Sequence, residues 1–214
     1  DSSYNIWEDV IEITAIANQL GWDKFSLLGH SRGAIIALIA AGTLPQRVEQ
    51  TILIDGFFPF FTPSEQAPQQ LADAIDEYLG KKRQTPRHYP TLEDALLTRT
   101  QGKYAISMEE AVIMASRGVS EDERGFYWHS DRRLLLTSPM RLNKRQFAAF
   151  LKAIECPILL CLAEQGIGAV YPEFVENLPD LASLETIRLP GHHHLHMDCA
   201  AQVAKEVNRV IKNR

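Results

Sequence analysis

A single serine between two glycines interrupts the most apolar part of the sequence. The stretch FSLLGHSRGAIIALIAAG, residues 25–42, passes from one apolar segment through GHSRG, residues 29–33, into a second. A G-x-S-x-G motif between a predicted buried strand and a predicted buried helix is typical of a sharp turn that exposes a serine hydroxyl. The sequence therefore predicts that Ser31 is a nucleophile, and such a serine needs a neighbouring base to accept its proton.

The local sterics of this turn explain the residues around the serine. The residues at positions 29 and 33 are expected to be small, because larger side chains there would collide with the neighbouring strand and helix. The helix that begins at Arg32 directs its first N–H groups and its positive dipole end toward any anion formed there. The N–H of Arg32 is therefore the predicted oxyanion donor. The alternative is that Ser31 merely caps the helix.

Three segments of the chain resemble the α/β-hydrolases in the order in which they occur. They are GHSRG, then LPQRVEQTILID at residues 44–55, then LPGHHHLHMD at residues 189–198. The last of these, together with FYWHSDRRLLLTSP at residues 126–139, is also similar to the serine hydrolase-like subgroup. The resemblance implies a Ser-His-acid triad on a parallel sheet, with a nucleophile at Ser31.

The resemblance places the base in the loop after the last strand, which contains four histidines. The family spacing H-x-x-H-x-[DE] matches residues 193–198 and favours His193, with His194 as the alternative. A histidine cluster is also compatible with a metal site. Adjacent histidines do not easily converge on one ion, so we expect no metal and no cofactor.

The acid is where the sequence departs from the family pattern. The family usually carries it in a G-x-x-D arrangement after a later strand, and this chain has Gly166 where that aspartate is expected. Asp55, at the end of the strand after the Ser31 helix, is our preferred acid, because haloalkane dehalogenases of one type place it there. Glu164 is the alternative. Asp55 could also simply close its strand.

The periodicity of the chain predicts an α/β fold, the C-terminal portion of an α/β-hydrolase sheet with parallel strands and an inserted helical cap. Residues 1–58 and 151–214 form the predicted core. Residues 59–150 contain amphipathic helical segments and no convincing buried strand. They are expected to cap the crevice at the carboxyl ends of the strands, where open α/β sheets bind ligands.

The resemblance covers the fold from the helix that precedes the Ser31 strand. The first strands of the family, and the loop that gives a second oxyanion donor, have no counterpart in this sequence. We therefore expect a missing N-terminal segment, or a companion chain, to complete the sheet, because an uncovered strand edge invites aggregation.

Aromatic residues near the predicted cap favour a small, largely apolar substrate. The candidate substrate-binding residues are His30, Phe57, Phe58 and Trp128. Arg132 and Arg133 could bind a substrate carboxylate, as in carbon–carbon bond hydrolases. The more ordinary expectation is a salt bridge with Asp131.

The resulting prediction is a serine hydrolase that transfers an acyl group from a small apolar ester or thioester to water. Ser31 attacks, His193 moves the proton and Asp55 orients the imidazole. Two alternatives remain open: an α/β-hydrolase-fold protein that binds a ligand with little or no turnover, which the absent G-x-x-D acid favours, and a carbon–carbon bond hydrolase.

Composition excludes some other classes of function. The 214 residues carry a formal net charge of -5, and the most basic window, residues 80–89, reads as a solvated loop, so we expect no nucleic-acid partner. No apolar run is long enough to span a membrane, and the start lacks the pattern of a signal peptide. Cys156 and Cys161 are predicted core positions and, with Cys199, reduced thiols of a cytoplasmic protein.

Overall fold

The computed structural model describes residues 4–80 and 86–212. Residues 81–85, in the basic window, lie outside this part, so the loop predicted there stays a prediction. The chain forms two compact units, one made of Asp1–Ala67 with Met140–Arg214 and the other of Pro68–Pro139. The second unit falls inside the insertion predicted at residues 59–150, whose two ends belong to the first unit.

The described residues contain helices and strands that we number in chain order. The strands are β1 (Phe25–His30), β2 (Val48–Ile54), β3 (His88–Tyr89), β4 (Val119–Asp122), β5 (Gly125–Trp128), β6 (Ile158–Gln165) and β7 (Leu184–His192). The α-helices are α1 (Ile6–Gln19), α2 (Arg32–Thr43), α3 (Ala67–Gly80), α4 (Leu92–Leu97), α5 (Met108–Gly118), α6 (Lys144–Ala153), α7 (Ile167–Val170), α8 (Pro172–Glu176), α9 (Leu195–Asp198) and α10 (Ala200–Lys212).

The first unit is built on a four-stranded parallel sheet with the strand order β1-β2-β6-β7. This confirms the predicted α/β class with parallel strands. Because the strands are parallel, their carboxyl ends lie at one edge of the sheet. The residues that directly follow the four strands are Ser31, Asp55, Gly166 and His193. The topology thus brings the predicted nucleophile, acid and base to the same edge.

The core of the first unit explains why α2 is apolar on almost every side. Its residues from Ala34 to Ala41 are buried with the exception of Ile35, which is partly buried. Gly42 lies inside this helix, which ends at Thr43. A Cβ at Gly42 would lie 2.5 Å from the carbonyl oxygen of Phe150 in α6. The glycine therefore permits close packing of the two helices.

The second unit contains a feature that the sequence did not predict. It has a three-stranded antiparallel sheet in the order β3-β5-β4, in addition to α4 and α5. Strands β4 and β5 form a tight hairpin in which the Asp122 carboxylate accepts the N–H of Arg124, and Gly125 has a φ of 110°. Strands of two to four residues are too short for alternation to reveal them, which is why the helical reading of this region was incomplete.

Ser107 and Glu110 form a capping box at the start of α5, as the S-x-x-E spacing of the two residues indicates. Cys156 and Cys161 are buried, and the three cysteines form no disulfide. Within the described residues, no helix combines the length and the apolar character that a membrane crossing requires.

The turn between β1 and α2 generates a prediction from two glycines in the same motif. A Cβ at Gly29 would lie 2.2 Å from the carbonyl oxygen of Gly33, whereas a Cβ at Gly33 would meet no atom within 4 Å. The requirement for a small residue on both sides of Ser31 therefore holds at Gly29 but not, within the described residues, at Gly33.

We expect Gly29→Ala to lower the free energy of unfolding by roughly 2 kcal/mol or more, because the added methyl group must push backbone apart. Gly33→Ala should leave it unchanged or raise it by up to about 1 kcal/mol, because alanine is the better helix former. Urea unfolding of the two variants measures both values. Equal destabilisation by the two substitutions would contradict this account.

Candidate active site

Ser31 sits in a strained turn between β1 and α2. Its φ is 52° and its ψ is -115°, a conformation that costs a non-glycine residue about 1–3 kcal/mol. The backbone is held there because the Ser31 N–H donates to the carbonyl of Ile54 and the N–H of Ala34 donates to the carbonyl of Ser31. The Ser31 hydroxyl makes no capping bond to α2. This removes the alternative that Ser31 serves as a helix cap.

The hydroxyl of Ser31 instead reaches a histidine from the loop after β7. The Nε2 atom of His193 lies 2.9 Å from Ser31 Oγ, and its Nδ1 lies 2.7 Å from Asp55 Oδ2. An ionised carboxylate can only accept, so the proton of a neutral imidazole is on Nδ1. Nε2 then has a lone pair that accepts the hydrogen bond from the serine. Two consecutive hydrogen bonds thus link Ser31 to His193 and His193 to Asp55.

Asp55 is fully buried, and its carboxylate is satisfied by three donors. Oδ1 accepts the N–H of Ala163 at 3.0 Å, and Oδ2 accepts the N–H of Ile167 at 2.8 Å and the imidazole of His193. A buried charge is tolerated only when such partners replace its hydration. The backbone of Asp55 has a φ of 42°, in the left-handed region that aspartate enters more readily than most residues.

The absence of a side chain at Gly166 leaves room for the carboxylate of Asp55. A Cβ at this position would lie 2.3 Å from Oδ2 and 2.5 Å from Oδ1 of Asp55. The position that carries the acid in the family pattern is therefore left without a side chain, and the carboxylate from position 55 occupies the adjoining space. Glu164, the alternative acid, is exposed, and the carboxylate bonded to His193 belongs to Asp55.

The four histidines of the late loop occupy different environments. His192 is exposed and lies near the carboxylate of Asp198, whereas His193 is buried. The rings of His193, of His194, the alternative base, and of His196 all pack against His30, with ring centroids 4.7, 4.9 and 4.4 Å apart. The hydrogen bond to Ser31 comes from His193.

His30 has a role that the sequence did not reveal. Its Nε2 lies 2.8 Å from the carbonyl oxygen of His193, and because a carbonyl only accepts, Nε2 carries the proton. His30 was expected to contact the substrate, but the observed bond anchors the backbone of the candidate base. Burial of the ring lowers the pKa of His30 to about 4, so the imidazole is neutral at physiological pH.

Two further contacts hold the histidine loop in place. The carboxylate of Asp198 accepts the N–H of His192 at 2.6 Å, and Gly191, with a φ of 125°, leaves room for this carboxylate. Leu195 is completely buried in a cluster with Ile52 and Val203. The position of His193 is therefore fixed on both sides along the chain, as a precisely oriented base requires.

The backbone N–H and the side chain of Arg32 have different roles. Its N–H belongs to the first turn of α2, where N–H groups have no acceptor within the helix. Its guanidinium instead bonds the carbonyl of Tyr4 and the carboxylate of Asp9. The N–H thus remains the candidate oxyanion donor next to Ser31.

The aromatic candidates divide into core and partly exposed residues. Phe57 is 3% exposed and packs against Phe58 and Phe147 in the core, so this arrangement gives it a packing role, and its predicted contact with a substrate stays a prediction. Phe58 is partly buried in the same cluster. Trp128 lies in the second unit, where its indole N–H donates to the carbonyl of Ala95 and its ring packs under Arg99.

Arg132 and Arg133, which follow β5, have different environments. Asp131 binds the guanidinium of Arg133 through Nε and a terminal nitrogen, at 3.0 and 2.6 Å, so this arginine forms the salt bridge that the sequence suggested. Arg132 lines a surface pocket of about 350 Å³ within the second unit, together with Arg87 and Arg99.

Comparisons with known proteins agree with the observed fold. A family model described as the alpha/beta hydrolase fold matches residues 1–101. The crystal structure of hypothetical protein PA1622 from Pseudomonas aeruginosa PAO1 is 41% identical, with a TM-score of 0.87, over 98% of this chain and 74% of that one. The thioesterase domain from the curacin biosynthetic pathway shares the fold, with 24% identity and a TM-score of 0.78 over 96% of this chain and 72% of that one.

A curated relative points in the same direction. A probable serine hydrolase of Drosophila melanogaster is 24% identical over 96% of this chain. The chain spans 65% of the length of that protein. Together with the strained Ser31 turn, these matches show that the chain belongs to the α/β-hydrolase superfamily, and the curated relative makes it similar to the serine hydrolase-like proteins.

Proposed function

We propose that the protein is a serine hydrolase that transfers an acyl group from an ester or thioester to water. The observation that carries this proposal is the chain of hydrogen bonds from Ser31 through His193 to Asp55, with distances of 2.9 and 2.7 Å. A serine becomes a nucleophile when a positioned base can take its proton, and the base needs a partner that fixes its tautomer.

The acylation step follows from these positions. Ser31 Oγ attacks the carbonyl carbon of the substrate while its proton moves to Nε2 of His193. The electron pair of the carbonyl double bond moves onto oxygen, and the N–H of Arg32 stabilises the resulting negative charge. When the tetrahedral intermediate collapses, the leaving alcohol or thiol takes the proton from Nε2. Asp55 stabilises the imidazolium in between and keeps its own charge.

Deacylation repeats the sequence with water in place of the hydroxyl. His193 removes a proton from water as the water oxygen attacks the acyl carbon bonded to Ser31. The collapse of the second intermediate returns the proton to Ser31 and releases the acid. No cofactor takes part in the proposed steps.

An aromatic cluster that includes a residue of the segment after β2 supports an apolar acyl group. Phe60 lies five residues after Asp55, is 53% exposed and packs against Tyr171 and Phe174. These three rings belong to the first unit and form an aromatic surface after the carboxyl end of β2. We therefore propose that the preferred substrates carry a small apolar acyl group.

The proposal also concerns the edge of the sheet. β1 is an edge strand of the four-stranded sheet, and its Leu28 is 55% exposed. We propose that a further segment or a companion chain pairs with β1 and supplies the second oxyanion donor, since one N–H alone stabilises an oxyanion less than two.

The alternative of a non-catalytic binder rests on the absence of an aspartate at position 166. Because the carboxylate of Asp55 accepts the hydrogen bond from His193, the absence of an aspartate at position 166 no longer favours binding over hydrolysis. The carbon–carbon bond hydrolase alternative relied on Arg132 and Arg133 to bind a substrate carboxylate. Arg133 instead forms a salt bridge with Asp131.

A fluorophosphonate probe tests the nucleophile. We expect the full chain to be labelled at Ser31, with loss of labelling in Ser31→Ala and a decrease of about 10²–10⁴-fold in rate in His193→Ala, because the general base is gone. His192→Ala is the matched control, since His192 is exposed and outside the chain of bonds. Mass spectrometry of the labelled peptide gives the site. The proposal fails if Ser31→Ala is labelled as fast as the wild type.

Relocation of the acid tests Asp55. Asp55→Asn should lower the rate of hydrolysis of a p-nitrophenyl ester by about 10²–10⁴-fold, because an amide no longer holds the reactive tautomer. Gly166→Asp alone should be inactive or unstable, since its side chain would collide with the Asp55 carboxylate. The double variant Asp55→Ala/Gly166→Asp should recover at least about tenfold over Asp55→Ala, because the new carboxylate fills the vacated space.

Circular dichroism and thermal melting control for folding of these variants. If Asp55→Asn keeps the wild-type rate while it remains folded, Asp55 has only a structural role and the proposed triad is wrong.

A further inference from the structure

Three histidines that the proposed hydrolysis does not use for proton transfer converge beside the Ser31 turn. They are His30 at the end of β1, His194 before α9 and His196 within it. Each offers one ring nitrogen, and these three atoms all lie within 4.8 Å of one another. We propose that His30, His194 and His196 bind a divalent first-row transition-metal ion of the Zn²⁺ type.

The tautomer of His30 suits a metal ligand. Its Nε2–H donates to the carbonyl oxygen of His193 at 2.8 Å, so Nδ1 is the nitrogen that carries a lone pair. Metal-binding histidines commonly donate their second ring N–H to a backbone carbonyl, which fixes the orientation of the ring. The bond that anchors His193 therefore also presents His30 as a ligand.

The other two histidines are held by a short, well-anchored turn. The carbonyl of His194 accepts the N–H groups of Met197 and Asp198 at 2.7 and 3.2 Å. Leu195, between the two ligands, is completely buried. The backbone of this turn is thus fixed, and only side-chain rotation is needed to bring the imidazoles onto an ion.

The distances are compatible with a small adjustment. In a tetrahedral site with metal–nitrogen bonds of 2.0–2.1 Å, two ligand nitrogens are about 3.3 Å apart. Closing from 4.8 Å requires each ring to move by less than about 1 Å. Three imidazoles leave a fourth position for water. Imidazole ligands favour Zn²⁺, Co²⁺, Ni²⁺ and Cu²⁺ over Mg²⁺ and Ca²⁺.

This inference reverses the expectation from the sequence. The adjacent histidines have different hydrogen-bond partners: His193 bonds to Ser31, so the second and third members of the cluster are His194 and His196, which both pack against His30. The third ligand comes from a strand more than 160 positions earlier, which no local spacing reveals. The ion would connect the histidine loop to the Ser31 turn and stabilise both, and this binding does not depend on the proposed hydrolysis.

Cobalt titration of the full chain, purified without a polyhistidine tag, tests the site. We expect one Co²⁺ per chain, the visible absorption of four-coordinate Co²⁺, and its loss when Zn²⁺ is added. His194→Ala and His196→Ala should each weaken binding at least about tenfold. His192→Ala is the matched control from the same loop and should bind as the wild type does. Zn²⁺ should raise the melting temperature of the wild type and of the control, but not that of the ligand variants.

The possible outcomes separate clearly. Absence of the cobalt spectrum in the wild type, or equal binding in His194→Ala and His192→Ala, overturns the proposal. Loss of binding in His193→Ala with full binding in His196→Ala also overturns it, because the ion would then sit on the Ser31 partner. If an alanine variant melts lower in the absence of metal, His196→Gln keeps the side-chain volume and repeats the measurement.

Discussion

The buried carboxylate of Asp55 is the interaction on which the rest of the site depends. Its oxygens accept N–H groups from the end of β6, from the start of α7 and from His193. A charge with no exposure requires these partners, and every one of them comes from a different part of the chain. The carboxyl ends of two strands and the loop after a third are thereby joined at one point, and the orientation of His193 toward Ser31 follows from it.

The parallel sheet is what makes this joining possible. Each of the four strands ends one residue before a residue of the site, so the register of the sheet determines which side chains meet. Two residues with a positive φ, Ser31 and Asp55, directly follow the ends of these strands. The buried apolar strands and α2 provide the stability that offsets the cost of these two conformations.

Much of this site could be predicted from the sequence, because the signals are local. The G-x-S-x-G motif between apolar segments indicates Ser31, and the preferred acid and base, Asp55 and His193, are the residues that the structure connects to it. The arguments for these two drew on family spacing, which left Glu164 and His194 as alternatives. Only the buried position of the Asp55 carboxylate and the fold of the histidine loop separate them.

The remaining features depend on contacts between distant parts of the chain. Nothing local indicates that His30 bonds the backbone of His193 or that Ala163 and Ile167 donate to Asp55. The antiparallel sheet of the second unit was not predicted from the sequence because its strands are short. The sequence did not indicate that Phe57 packs in the core, because an aromatic residue beside a turn is equally compatible with a core and with a pocket.

The closeness of Gly166 to the Asp55 carboxylate has an evolutionary consequence. A side chain at position 166 would collide with the Asp55 carboxylate, so this backbone cannot hold both acids at once without a shift. A lineage that moves its acid between these positions must pass through a form in which one site is already glycine or the other already lacks its carboxylate. The order of substitutions along such a path is therefore constrained by excluded volume, whichever direction the lineage takes.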